Sequence, residues 1–186
     1  MAIKVENIGG ATGEVSGAFS HTEVYVGFLE NFASLSEPKE RSGDGAANTL
    51  EELVEITADH TFEADFGFTK LKAIADTVGL ETTQIGSPTM SAVNENKLTI
   101  QMLGSKAEIL GFKRWCKGRD LIVLATEFES GNVRQIGSAK YAGRLLEASS
   151  KIEPTVEGEN TTTLVFSDKQ KYDAPIYKGV ITLQPA

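Results

Sequence analysis

The sequence predicts a mainly β protein with some helix: an antiparallel β-sandwich or half-open barrel with one or two short helices on its flank. Three observations carry that expectation. Alternation of apolar and polar residues over strand lengths recurs through the last third of the chain. The most continuous apolar stretch, Leu121-Ile122-Val123-Leu124-Ala125, has the length of a strand, whereas a membrane span needs about 20 such residues. Regular strand–helix alternation, which a doubly wound parallel sheet requires, stops at Gly118. At 186 residues, 40% hydrophobic and 24% charged, the chain is large and apolar enough for a single domain, 1–186, with its own core.

The elements follow in order. Residues 1–20, punctuated by Gly9, Gly10, Gly13 and Gly17, read as an N-terminal arm. Residues 22–29 alternate as a strand should. Residues 30–48 form a polar stretch broken by Pro38, Gly43 and Gly45. Connections inside a compact domain run to about 4–6 residues, so a loop of this length is expected to be either functional or disordered. Over 53–62 the alternation resumes with β-branched residues and predicts a strand. Phe68, Leu71, Ile74, Ala75 and Val78 then recur at helical spacing. They predict a helix over 67–78 with Asp65 as N-cap and Gly79 as its stop. A strand over 97–103 leads to a second short helix from Ser105, with Ile109, Phe112, Trp115 and Cys116 as its stripe and Gly118 as its stop. Residues 120–128 and 132–136 form a hairpin about Ser130-Gly131. Further strands are expected over 140–148, 161–167 and 176–183, with 153–160 as a long link.

Composition narrows the function. A net charge of −8 and a pI near 4.9 disfavour a protein whose task is gripping nucleic-acid phosphates. Cys116 is the one cysteine and forms no internal disulfide, and the first residues lack the apolar core of a signal peptide. Synthesis and assembly in the cytoplasm are therefore expected. The glycines of 8–17 lack the Gly-Lys-Ser/Thr ending of a phosphate cradle. His21 and His60 have no Cys or His partner nearby, so no metal site is expected, and His60 beside Asp59 and Glu63 reads as a solvated strand end. Ser36-Glu37-Pro38-Lys39 has the spacing of a Ser-x-x-Lys pair, but its proline opposes the helix that would bring the two together. Cys116 reads as a buried structural thiol. Lys113, Arg114, Lys117 and Arg119 cluster about Trp115 and read as cations favoured by a helix dipole. No catalytic, cofactor-binding or metal-binding residue is expected, and the chain is not expected to be an enzyme.

The order of motifs from Arg114 onward carries a resemblance. Trp115-Cys116-Lys117-Gly118-Arg119-Asp120-Leu121-Ile122-Val123-Leu124 is a helix end feeding an apolar strand. Glu129-Ser130-Gly131-Asn132-Val133-Arg134-Gln135-Ile136-Gly137 is a hairpin closing on glycine. The strands at Tyr141, Thr161-Thr162-Thr163-Leu164-Val165-Phe166-Ser167 and Pro175-Ile176-Tyr177-Lys178-Gly179 follow. This order, a little under half the chain, is similar to the C-terminal part of tail tube proteins (major tail proteins) and related virion structural proteins of tailed phages. The resemblance implies hexameric rings that stack into a hollow tube within the virion, assembled in the host cytoplasm alongside other tail proteins. DNA passes through such a tube without specific binding, and neither a membrane nor a cofactor is involved. On that reading the 30–48 loop docks on the next ring through Phe32 and Leu35, with Glu37, Lys39, Arg41 and Asp44 around them. Glu127 and Glu129 would face the channel, where carboxylates repel phosphates. Two alternatives stay open: another virion component (neck, tail terminator or capsid decoration protein), and a β-sandwich module for a carbohydrate or small ligand.

Overall fold

A computed structural model describes residues 19–90, 92–127 and 130–185. The arm expected over 1–20 lies outside them but for its last two residues, and so does Glu129. The chain order is β1 (Phe19–Phe28), β2 (Phe32–Ser34), β3 (Glu55–Ile56), β4 (Thr61–Phe62), β5 (Thr69–Lys72), β6 (Gly79–Ile85), β7 (Val93–Leu103), α1 (Ala107–Cys116), β8 (Leu121–Glu127), β9 (Val133–Ile136), β10 (Arg144–Ile152), β11 (Asn160–Gln170) and β12 (Ile176–Tyr177). A six-stranded sheet runs β3-β12-β9-β8-β1-β5, a four-stranded sheet β10-β11-β7-β6, and β2 pairs with β4 alone. All pairs are antiparallel except β12 with β3. The described residues are thus mainly β and sandwich-like, with one α-helix and no closed barrel among them.

Two cores hold these layers. The first lies between the sheets, where Leu98, Ile100, Leu164 and Phe166 of the four-stranded sheet join Val24, Val26, Leu121, Val123 and Ala125 of the six-stranded one. Helix α1 closes its flank with Ile109, Phe112 and Cys116, the predicted stripe without Trp115. Cys116 is fully buried, and that burial pushes its thiol up to about 12, which makes it an inert packing group. The second core sits on the far face of the six-stranded sheet. There Ile122 and Leu124 meet Ile56, Phe68 and Tyr177, with Phe32, Leu35 and Phe62 packed against them. β8 therefore turns odd residues to one core and even residues to the other, and that is why its sequence is an unbroken apolar run.

Four expectations need correction. Residues 67–78 form no helix. Phe68 donates its N–H to the Thr182 carbonyl (2.9 Å) and accepts from Gln184 N–H (3.1 Å), and β5 pairs with β1. A side chain at Gly67 would strike the Leu183–Gln184 backbone at 2.5 Å, so only glycine permits this approach. Phe68 points into the second core and Leu71 into the first. Positions three apart share one face of a helix but lie on opposite faces of a strand, so a sheet buried on both sides imitates the helical pattern. Asp65 and Asp76 occupy left-handed turn conformations (φ 68° and 60°) where a helix was expected to begin and continue. Residues 53–62 form two short strands, β3 and β4, separated by the turn that carries His60. Pairing over 176–183 is confined to β12 and an isolated bridge at Leu183. The strand expected over 140–148 begins only at Arg144, and β6 was not foreseen at all.

The register of residues 68–75 is directly testable. Phe68→Ala removes a ring only 1% exposed and should cost about 3–5 kcal/mol of unfolding free energy. Ala75→Lys, in an exposed turn, should change stability by less than about 0.5 kcal/mol. Urea titration of both variants checks this. A helix packed through its 68-71-75-78 stripe would instead be ruined by the lysine.

Candidate assembly surfaces

Residues 30–65 spread over the second core as a covering layer. Phe32 stacks against Phe62 (centroids 4.2 Å apart) and meets Phe68 edge-on at 5.6 Å. Leu35 packs beside them. The structure thus places these two side chains against the chain's own core and leaves the charged members of the loop outside. Glu37 accepts the Ala139 N–H at 3.0 Å, and Lys39 pairs with Glu52 at 2.8 Å. Arg41 and Asp44 are exposed.

His60 pins the layer down. It is 3% exposed and not the solvated strand end the sequence suggested. Its ring stacks on Tyr177 at 4.3 Å. Nδ1 accepts the Ser36 N–H at 3.2 Å, which leaves Nε2 to donate to Gln135 Oε1 at 2.7 Å. The imidazole is therefore neutral. Burial holds its pKa below the ordinary value, against the opposing pull of Gln135 and Asp59. Its backbone N–H donates to the Tyr177 hydroxyl (3.1 Å), which donates to the Val180 carbonyl (2.9 Å). Layer, β9 and C-terminal segment meet at this one residue.

The layer also carries the protein's net charge. Residues 30–65 hold ten carboxylates against two cations, a balance of −8, while the rest of the chain holds sixteen of each. Asp44, Glu51, Glu63 and Asp65 are exposed and make no ion pair among the described residues.

The four-stranded sheet offers a different surface. Its inner face feeds the first core; its outer face is covered by no described element. By strand alternation that face carries Glu81 opposite Lys97, Glu147 opposite Val165, and Ser149 opposite Thr163. Both outer edges, β6 and β10, are unpaired among the described residues. Edges of this length normally invite another strand. β10 carries a register shift between Leu145 and Glu147, the irregularity by which edges are commonly guarded. Glu127 lies elsewhere, at the end of β8 in the doubly covered sheet. Burial tends to raise its pKa, but the Ser130 hydroxyl (2.6 Å) and the Arg134 guanidinium (2.5 Å) outweigh that and hold it low. It is a paired carboxylate.

Between the sheets runs one buried polar network. Asp168 accepts from Asn96 Nδ2 (2.8 Å), from the Gly137 N–H and from Gln170 Nε2. Gln170 Oε1 is buried without a hydrogen-bond partner among the described residues. Gln170 lines a cavity of about 20 Å³ together with Glu37, Glu40, Ser138, Tyr141 and Tyr172, which is room for a single water. No group of three or more His, Cys, Asp or Glu among the described residues could hold a metal ion.

No protein-family model matches the chain, and the curated proteins and solved structures yield no match either.

Two predictions follow from the buried polar groups. Because the folded state favours neutral His60, stability should be full above the unfolded-state pKa of 6.5 and should fall as the pH drops below it. Urea midpoints across that range should lose this acid sensitivity in His60→Gln. Asp168→Asn should cost about 1–3 kcal/mol at pH 7, because either amide orientation sets a donor against a donor. Thermal melts of the pure variant check it.

Proposed function

We propose that the chain is a structural subunit of a phage tail tube, whose copies join edge to edge into a ring, hexameric as the family resemblance implies, and whose rings stack into a conduit for DNA. The observation that carries this reading is the pair of unpaired edges on the four-stranded sheet. Each neighbour in that sheet is antiparallel to the next, so with four strands the two outer ones, β6 and β10, run in opposite directions. A copy rotated about an axis along the strands would lay its β10 antiparallel against the β6 of its neighbour. One such contact is heterologous and closes when the rotation completes a circle. The backbone donors and acceptors left on β6 would then find partners on β10, except at the irregularity between Leu145 and Glu147.

Two further features support the reading. The outer face of the same sheet mixes acidic and basic residues among serines and threonines, without the continuous basic stripe that retains phosphates. The net charge of −8 also opposes DNA retention.

Electron microscopy of the purified protein tests this. Rings or tubes are expected. Thr83→Pro and Gln84→Pro, made in parallel on exposed β6 positions, sharpen the test. Successive N–H groups point to opposite sides of a strand, so one of the two prolines removes only an edge donor and should keep wild-type melting. That variant should be monomeric. Rings persisting in it would contradict edge pairing, and wild-type protein that stays monomeric at every concentration would contradict the tube.

A further inference from the structure

The basic cluster on α1 has a complement elsewhere in the same chain. Residues 105–119 carry five cations and one carboxylate. Lys106, Lys113, Arg114 and Lys117 make no ion pair among the described residues. The helix dipole accounts for Lys113 and Arg114, in the last turn, but not for Lys106, which sits at the N-cap where a cation is disfavoured. Leu110, Arg114 and Lys117, at spacings of four and three, form an exposed stripe opposite the buried one. Trp115 beside it is 61% exposed. Its indole and the Phe28 ring both hold the Arg119 guanidinium, at 4.4 and 4.7 Å. Exposed tryptophan and arginine on a rigid element are the residue types that anchor protein interfaces.

Helix α1 packs on the first core and the acidic layer covers the second, so the six-stranded sheet separates them. They touch at one corner, where Arg119 meets Glu30. Elsewhere each faces away from its complement within the chain.

We propose that the exposed face of α1, centred on Leu110, Arg114, Trp115 and Lys117, docks on the acidic 30–65 layer of a second copy of this chain. The contact is heterologous, and where its rotation does not close it propagates along an axis as a filament does. This deepens the tube reading by naming the surfaces that join one ring to the next. The charge on both sides makes association steep in ionic strength.

Sedimentation velocity tests the contact without needing rings. Wild-type protein should associate at low ionic strength and dissociate in roughly 1 M salt, where the screening length is about 3 Å. Arg114→Glu with Lys117→Glu should weaken association about tenfold or more, and so should Asp44→Lys with Glu51→Lys. Mixing the two double variants should restore it, since each then presents the charge the other lacks. The Arg114→Glu, Lys117→Glu variant should melt only a few degrees lower, through the helix dipole at the end of α1, and the Asp44→Lys, Glu51→Lys variant should melt as wild type. Association unaffected by either pair, or no restoration on mixing, would overturn the proposal. So would tight binding of a DNA duplex by wild-type protein that the Arg114→Glu, Lys117→Glu variant alone loses, which would assign α1 to nucleic acid. Failure here leaves edge pairing standing, because such variants would still form single rings; failure of edge pairing would leave the salt-sensitive contact in place.

Discussion

Leu121 to Ala125 must be removed from water on two sides at once. Each full burial of such an aliphatic side chain contributes about 1.5–3 kcal/mol, and in a strand successive side chains point to opposite faces. No single partner layer can satisfy β8. The four-stranded sheet and α1 cover one face; residues 30–65, with the C-terminal segment, cover the other. The stretch 30–48 that the sequence presents as a polar loop is therefore, with the rest of the layer, a structural requirement of the central strand. Phe32, Leu35 and Phe62 are its apolar underside, packed over Phe68 of the second core, and His60 is the polar group that fixes its position.

The same requirement explains where the charge lies. A covering layer has one face inward and one face in water, and it has little regular pairing to hold it. Its outward residues are thus free to be acidic, and they hold the whole net charge of the protein. The four-stranded sheet is in the opposite situation. It lends one face to the core, but no described element covers its other face or its two edges. One sheet is satisfied on both faces within the chain and the other is not, and that asymmetry is what an assembling subunit would use.

Legibility in the sequence followed the range of the interactions involved. The apolar run of β8, its hairpin to β9, the alternation of β7 and β11, and the stripe of α1 are set by neighbours in sequence, and each was readable. Residues 67–78 were not, because their pairing partners are β1 and the backbone at 182–184. With both sheet faces buried, the Phe68–Leu71 spacing is the same for strand and helix. β6 has only Leu80 and Ile85 half-buried and carries almost no apolar signal. His60 looked exposed because the group that satisfies it, Gln135, is 75 residues away. The free edges leave no mark in the sequence, since any strand reads alike whether or not its outer side is paired. The charge of 30–65 was present in the sequence, but it emerges only when counted segment by segment.

Hydrogen exchange on assembled and dissociated protein tests most directly whether β8 and β1 find all their partners within the chain while the edges of the four-stranded sheet find theirs on another copy. Amides of β8 and β1 should exchange slowest and equally in both states, because their partners all lie within the chain. Amides on the outer sides of β6 and β10 should exchange fast in the free subunit and become strongly protected on assembly. Equal exchange of those edge amides in the two states, with the gain in protection falling on β8 and β1, would contradict the account.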